Sequence, residues 1–300
     1  MKCSCIDIGS NTIKVSVFEK RGKHWYTRAF LGEQTKLISY ITIKDDNKYL
    51  SSDGIVALIN ALDKLIAFSK ENMTEQIFAF ATASLRGIKN ADEVIEKVRE
   101  KFGIVIDIIS EEEEALCSLK GLLNEEKCES VREGIMVDMG GGSCEIVHFM
   151  NGKQPEIVSL PVGCLLMTQT YVHSFPPKEN EITQLRLHVA SRISEYKFLK
   201  NLSCPIYLIG GTARAAVKVI KKYKGLRREV FNLDDFDTIT LKICNDTEFG
   251  LLCKEEIPKR FNTIGAGTAA LCEIIKYVGA KEVYLSESGV REGYLERILS

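Results

Sequence analysis

The order of apolar and polar positions along the chain predicts strands over 3–8, 13–19, 76–82 and 104–109, each a short apolar run closed by polar or glycine-containing turns. Between them Ile55, Leu58, Ile59, Leu62, Leu65 and Ile66 recur at helical spacing after Ser52-Asp53, which reads as the helix start. A further helix is expected from Asn90 to about Gly103, and strand 205–209 leads into a helix from Ala213. Strands alternating with helices argue for an α/β protein.

The most informative pattern is a repeat. Ile6-Asp7-Ile8-Gly9-Ser10-Asn11 followed by the apolar stretch 13–17 parallels Val137-Asp138-Met139-Gly140-Gly141-Gly142-Ser143 followed by 146–149. Each is a strand, an Asp-x-Gly turn and another strand. A polar stretch at Asn124–Lys127 separates the two, so domains 1–123 and 124–300 around a shared cleft are expected, the last helix being free to pack back on the first domain. The length of 300 residues suits two domains.

Composition removes several function classes. Forty Lys and Arg against 41 Asp and Glu leave a net charge of −1, so no overall field draws the chain to nucleic acid or an anionic membrane. No apolar run has a membrane-spanning length, and Asp7 interrupts the start where a signal peptide stays apolar; a soluble, cytoplasmic protein is expected. The ten cysteines are scattered without a Cys-x-x-Cys pair and read as reduced structural thiols, while the four histidines show no metal-ligand spacing.

Glycine turns let backbone N–H groups converge on an anion, and an acid beside them suits Mg²⁺. Gly9, Ser10, Asn11 and Gly140, Gly141, Gly142, Ser143 are therefore candidate phosphate ligands, with Asp7 and Asp138 as metal candidates. Gly210, Gly211 and Thr212 precede a helix and form a weaker anion site. Ser110 with Glu113 three positions on reads as a capping box, yet Glu111–Glu114 also place four carboxylates where one could act as a base, and Arg86 follows the strand ending near Thr82.

Taken in order, these residues resemble the exopolyphosphatase/guanosine pentaphosphate phosphohydrolase family, whose fold is the duplicated actin, Hsp70 and sugar-kinase (ribonuclease H-like) type. The resemblance covers Asp7–Asn11, Ala81 to Arg86 and Asn90, Ser110–Ala115, Asp138–Ser143 with Glu145, 159–163, Gly210–Thr212, Arg260 and 288–293. It implies Glu113 as catalytic base, Asp138 and Glu145 as Mg²⁺ and water ligands, and Arg86 as the residue that neutralises the phosphoryl group. The implied activity is release of orthophosphate from inorganic polyphosphate, with guanosine pentaphosphate as the rival substrate. An actin-like ATPase or kinase, and a non-catalytic phosphate or alarmone sensor, are the remaining readings. The same resemblance implies a homodimer and allows Mn²⁺ or a monovalent cation. Lys221, Lys222, Arg227 and Arg228, in the densest basic stretch, are expected to form a polyphosphate track. Glu111, Leu166, Leu208 and Asn262 depart from the family pattern.

Overall fold

In the computed structural model, which describes residues 1–22, 24–128 and 130–299, the chain divides by its contacts into two units. One comprises Met1–Glu126 with the chain from Val290 on; the other is Lys127–Gly289. The sequence division after residue 123 lies three residues before this one.

The first unit contains β1 (Lys2–Ile8), β2 (Ile13–Arg21), β3 (His24–Glu33), β4 (Ile41–Lys44), β5 (Asn47–Leu50), α1 (Ser52–Glu71), β6 (Gln76–Ala81), α2 (Ala91–Phe102), β7 (Ile106–Ile108) and α3 (Glu111–Leu123). The second contains β8 (Glu133–Met139), β9 (Cys144–Met150), β10 (Glu156–Leu160), α4 (Cys164–Tyr171), α5 (Glu179–Ile193), β11 (Ile206–Ile209), α6 (Gly210–Lys224), β12 (Val230–Phe231), α7 (Leu233–Asn245), α8 (Thr247–Glu256), α9 (Phe261–Val278) and β13 (Val283–Leu285). The closing helix, α10 (Val290–Ile298), belongs to the first unit.

The two main sheets repeat one topology. The first runs β3-β2-β1-β6-β7 and the second β10-β9-β8-β11-β13, with β12 added at the far edge. In both, three antiparallel strands joined by tight turns continue into parallel strands reached through helices. This is the duplicated actin-like α/β fold. Each Asp-x-Gly turn joins the central strand to its antiparallel neighbour, β1 to β2 and β8 to β9.

Local chemistry explains the element ends. Ser51 caps α1, its hydroxyl accepting the Gly54 N–H, so the cap lies one residue before the expected Ser52-Asp53. Gly103 closes α2 with φ 69°, a left-handed position glycine takes at little cost. Strand β3 and the β4–β5 hairpin add to the elements expected from the apolar pattern. Helix α6 begins at Gly210 rather than Ala213.

Central strands are buried on both faces. In β1, Ile6 and Ile8 pack in the cluster with α1 and α2, while Cys3 and Cys5 join Phe18, Phe80, Cys117, Tyr294 and Leu295. In the second unit α9 is buried nearly all round, packed by α4, α5 and α7, as its apolar and small residues dictate. No disulfide links the cysteines, which are buried apart from the half-buried Cys244. Among the described residues no helix is long and apolar enough to cross a membrane.

Helix α10 docks on α3 by close backbone approach. A Cβ on Gly293 would stand 1.7 Å from the Cys117 carbonyl oxygen and 2.8 Å from the Gly121 nitrogen. Trp25 Nε1 donates to Glu296 at 2.9 Å, and Arg291 donates to Ser16 Oγ at 2.7 Å, fixing the helix over the sheet. Gly293→Ala therefore forces backbone apart, and its urea unfolding midpoint should fall by the equivalent of about 3 kcal/mol. An unchanged midpoint contradicts this packing.

Candidate active site

In the second unit, the β8–β9 turn is shaped by the helix that follows β10. The N–H groups of Gly163, Cys164, Leu165 and Leu166 donate to the carbonyls of Gly142, Gly140, Gly141 and Gly141, at 2.9 to 3.1 Å. In a trans peptide the C=O and the next N–H point in opposite directions. The N–H groups of Gly141, Gly142 and Ser143 are thus turned away from α4, an arrangement that can receive an anion. This arrangement requires Gly163: a Cβ there would lie 2.5 Å from the backbone of Gly141 and Gly142.

The β1–β2 turn follows the same logic. Ile38 N–H donates to the Ser10 carbonyl at 3.0 Å and Lys36 N–H to the Asn11 carbonyl at 2.9 Å, so the N–H groups of Asn11 and Thr12 point the other way. Gly9 closes the turn, since a Cβ there would be 2.9 Å from the Thr12 carbonyl oxygen. Asp7 is buried below it, with Lys14 Nζ 3.9 Å from Oδ2 across the strand pair.

Asp138 and Glu145 are direct partners across β8 and β9, so the two carboxylates share a sheet face. Glu145 Oε1 accepts from Ser143 Oγ at 2.6 Å and Ser159 Oγ at 3.1 Å. Burial, reinforced by the Asp138 charge, lifts the Glu145 carboxyl above its ordinary range despite those two hydroxyls. Asp138 also packs on the start of α6: a Cβ on Gly210, which has φ 90°, would lie 2.5 Å from Asp138 Oδ1. The helix start therefore faces a carboxylate of the protein itself, a favourable arrangement for both.

Thr212 does not serve as an exposed donor. It is buried, its Oγ1 3.4 Å from the Cys164 sulfur, because α6 starts earlier than expected and turns this side chain inward. Arg260 fills the neighbouring position instead; a Cβ on Gly211 would meet its Nη2 at 2.5 Å. The sequence pattern includes Arg260 but assigns it no role; the glycine at 211 is the local signal that a bulky side chain lies against it.

In the first unit, α3 sorts its four acids by helical phase. Glu113, at the third helical position, forms the capping box: Oε2 accepts the Ser110 N–H at 2.8 Å while Ser110 Oγ accepts the Glu113 N–H at 3.1 Å. Its Oε1 accepts from Arg297 Nη1 at 2.7 Å. Hydrogen bonding from the Ser110 backbone, aided by the Ser110 and Arg297 side chains, holds its carboxyl below the ordinary range. Glu111 and Glu114, three apart and so on one face, both meet Arg86, at 3.2 and 2.7 Å. Arg86 Nε donates to the Ile109 carbonyl at 3.0 Å. The structure thus brings Arg86 to Glu114 and commits Glu113 to the helix start and Arg297, against the sequence expectation for Glu113.

The basic stretch is also altered by its surroundings. Lys221 pairs with Glu229 at 2.7 Å, Lys222 and Lys218 with Glu256 at 3.2 Å, and Arg228 and Lys224 with the buried Asp235 at 2.6 and 2.8 Å. Arg227 is exposed. These cations hold α6, α7 and α8 together, which weakens the expected polyphosphate track.

The raised Glu145 carboxyl has a consequence for stability. Once the chain unfolds, this group ionises more readily, so between its ordinary value of 4.5 and its higher folded value the unfolded state holds fewer protons and stability falls as pH rises. Glu145→Gln should therefore raise the melting temperature at neutral pH without divalent cations, with the gain shrinking below pH 4.5. A gain that does not depend on pH contradicts the assignment.

The chain is 27% identical over 304 residues to a bifunctional 3-dehydroquinate synthase/phosphatase of Fusobacterium nucleatum, covering 94% of this chain and 44% of that protein. It is 25% identical over 230 residues to exopolyphosphatase 1 of Mycobacterium bovis, covering 76% of this chain and 63% of the relative. The chain thus spans less than two thirds of the length of either. The crystal structure of the Aquifex aeolicus Ppx/GppA family member superposes with a TM-score of 0.81 at 25% identity, covering 100% of this chain and 98% of that one. The Ppx/GppA phosphatase family model matches residues 16–300, a span that includes Arg86, Glu114 and the Asp138–Glu145 turn, and the chain belongs to that family.

Proposed function

We propose that the chain hydrolyses the terminal phosphoanhydride bond of inorganic polyphosphate by in-line attack of water. The observation that carries this reading is the β8–β9 turn, whose carbonyls are tied down by the start of α4, so that its own N–H groups face the other way and can receive a phosphoryl group. Relatives named as exopolyphosphatases support the choice of substrate. In the reaction the water oxygen bonds to the terminal phosphorus, the bridging P–O bond breaks, and the water proton passes to a carboxylate.

Glu114 is the better base. Both Glu113 oxygens are engaged and its carboxyl is held low, which makes it a weak proton acceptor. Glu114 contacts Arg86, so the base lies next to the guanidinium that neutralises phosphoryl oxygens. Arg86 is shared with Glu111, and phosphate must compete with that carboxylate for it.

Asp138 and Glu145 fit Mg²⁺ by their chemistry: two hard oxygen donors side by side, one with its carboxyl lifted by burial and by the other's charge, beside the glycine turn. Bound there, Mg²⁺ supplies charge neutralisation to the phosphate oxygens. The chain's own residues do the remaining work: the nest orients the oxygens, Ser143 and Ser159 position Glu145, and Glu114 takes the proton.

Glu114→Gln should lower orthophosphate release from polyphosphate by about 10²–10⁴-fold, whereas Glu113→Gln should mainly lower the melting temperature. Equal turnover in Glu114→Gln and the parent chain overturns the assignment of the base. Glu111→Gly leaves Arg86 paired with Glu114 alone and should lower KM by up to about fivefold, the equivalent of a roughly 1 kcal/mol exposed pair. Assays with Mg²⁺ and long-chain polyphosphate, guanosine pentaphosphate or ATP decide the substrate. Release from polyphosphate supports the proposal, and release confined to either nucleotide refutes it.

A further inference from the structure

At the opposite end of the second sheet, the starts of β8 and β11 bring together three side chains that phosphate chemistry does not use. Glu133 opens β8, His148 lies in β9, and Cys204 stands two residues before the start of β11. Register places them on one face: His148 is opposite Ile135, Ile206 pairs with Ile135, and Glu133 and Cys204 each stand two residues earlier. Five residues of β8, roughly 16 Å, separate Glu133 from Asp138, and the odd spacing puts the two acids on opposite faces.

Their ligand atoms lie within 4.8 Å of one another. His148 Nε2 is 3.4 Å from Glu133 Oε1, while Nδ1 is 3.1 Å from Glu156 Oε2 across the β9–β10 pair. The longer separation is poor for a hydrogen bond. It is close to the ligand-to-ligand edge of a tetrahedron with bonds of about 2.0 Å, which is about 3.3 Å. Glu156 holds the other ring nitrogen, as a carboxylate does behind a metal-bound imidazole, and so directs Nε2 inward. Cys204 is buried while the Glu133 side chain is 42% exposed, which gives an ion a route in from solvent.

We propose that Glu133 Oε1, His148 Nε2 and Cys204 Sγ form a tetrahedral site for a borderline divalent cation of the zinc class, the fourth position being taken by water. One oxygen, one nitrogen and one sulfur donor select Zn²⁺ over Mg²⁺, whereas the Asp138–Glu145 pair offers only oxygen. Binding as the thiolate releases the Cys204 thiol proton to solvent. The site ties together the starts of β8 and β11 and the second half of β9.

Co²⁺ is the probe, added to the whole reduced chain with Mg²⁺ in large excess to fill the acidic pair. The expected result is a sulfur-to-cobalt charge-transfer band and tetrahedral d–d absorption saturating at one cobalt per chain, both erased by stoichiometric Zn²⁺. Cys204→Ser and His148→Gln should abolish the bands, and Glu156→Gln should weaken Co²⁺ binding about 10–100-fold, with melting temperatures without metal near that of the parent chain. A parent chain that shows no such band in excess Co²⁺ overturns the proposal, as does a band of full strength in both Cys204→Ser and His148→Gln.

Discussion

Everything at the two glycine turns depends on which way their peptide planes face. A short loop between antiparallel strands has no intrinsic reason to point several N–H groups in one direction. In the second unit the first turn of α4 imposes it by donating four backbone N–H groups to three carbonyls of the loop. In the first unit the chain at Lys36–Ile38 does the same with two. N–H groups facing one way are thus obtained by satisfying carbonyls on the far side, and the glycines at 9 and 163 are required because backbone must approach backbone.

Charge is then partitioned by geometry rather than by number. Four consecutive glutamates enter α3, but only one can occupy the capping position, and only the pair three apart can share Arg86. Asp138 and Glu145 face each other because cross-strand register leaves no alternative, and burial makes their mutual repulsion felt. Near-zero net charge conceals these local imbalances, just as the basic stretch at 218–228 conceals its carboxylate partners.

The repeated Asp-x-Gly pattern made the fold legible, since it marks the same strand junction in two sheets of the same order. The capping box at Ser110 was legible too, and its consequence is that both Glu113 oxygens are engaged by Ser110 and Arg297; resemblance alone pointed to that residue as the base, because four adjacent glutamates look alike until helical phase separates them. Thr212 could not be read as buried without knowing that α6 begins at Gly210. The partners of Lys222 and Arg228 lie at Glu256 and Asp235, contacts set by helix packing that no local pattern encodes. Glu133, His148 and Cys204 are far apart in sequence and converge only through strand register.

The central claim is that α4 creates the phosphate nest by holding the loop carbonyls. Gly163→Ala tests it most directly, because the added methyl meets the Gly141–Gly142 backbone and nothing in the proposed chemistry. With circular dichroism confirming a native fold, isothermal titration with orthophosphate in Mg²⁺ should show affinity reduced at least tenfold, the equivalent of about 1.4 kcal/mol. Parental affinity in a folded Gly163→Ala chain would contradict the account.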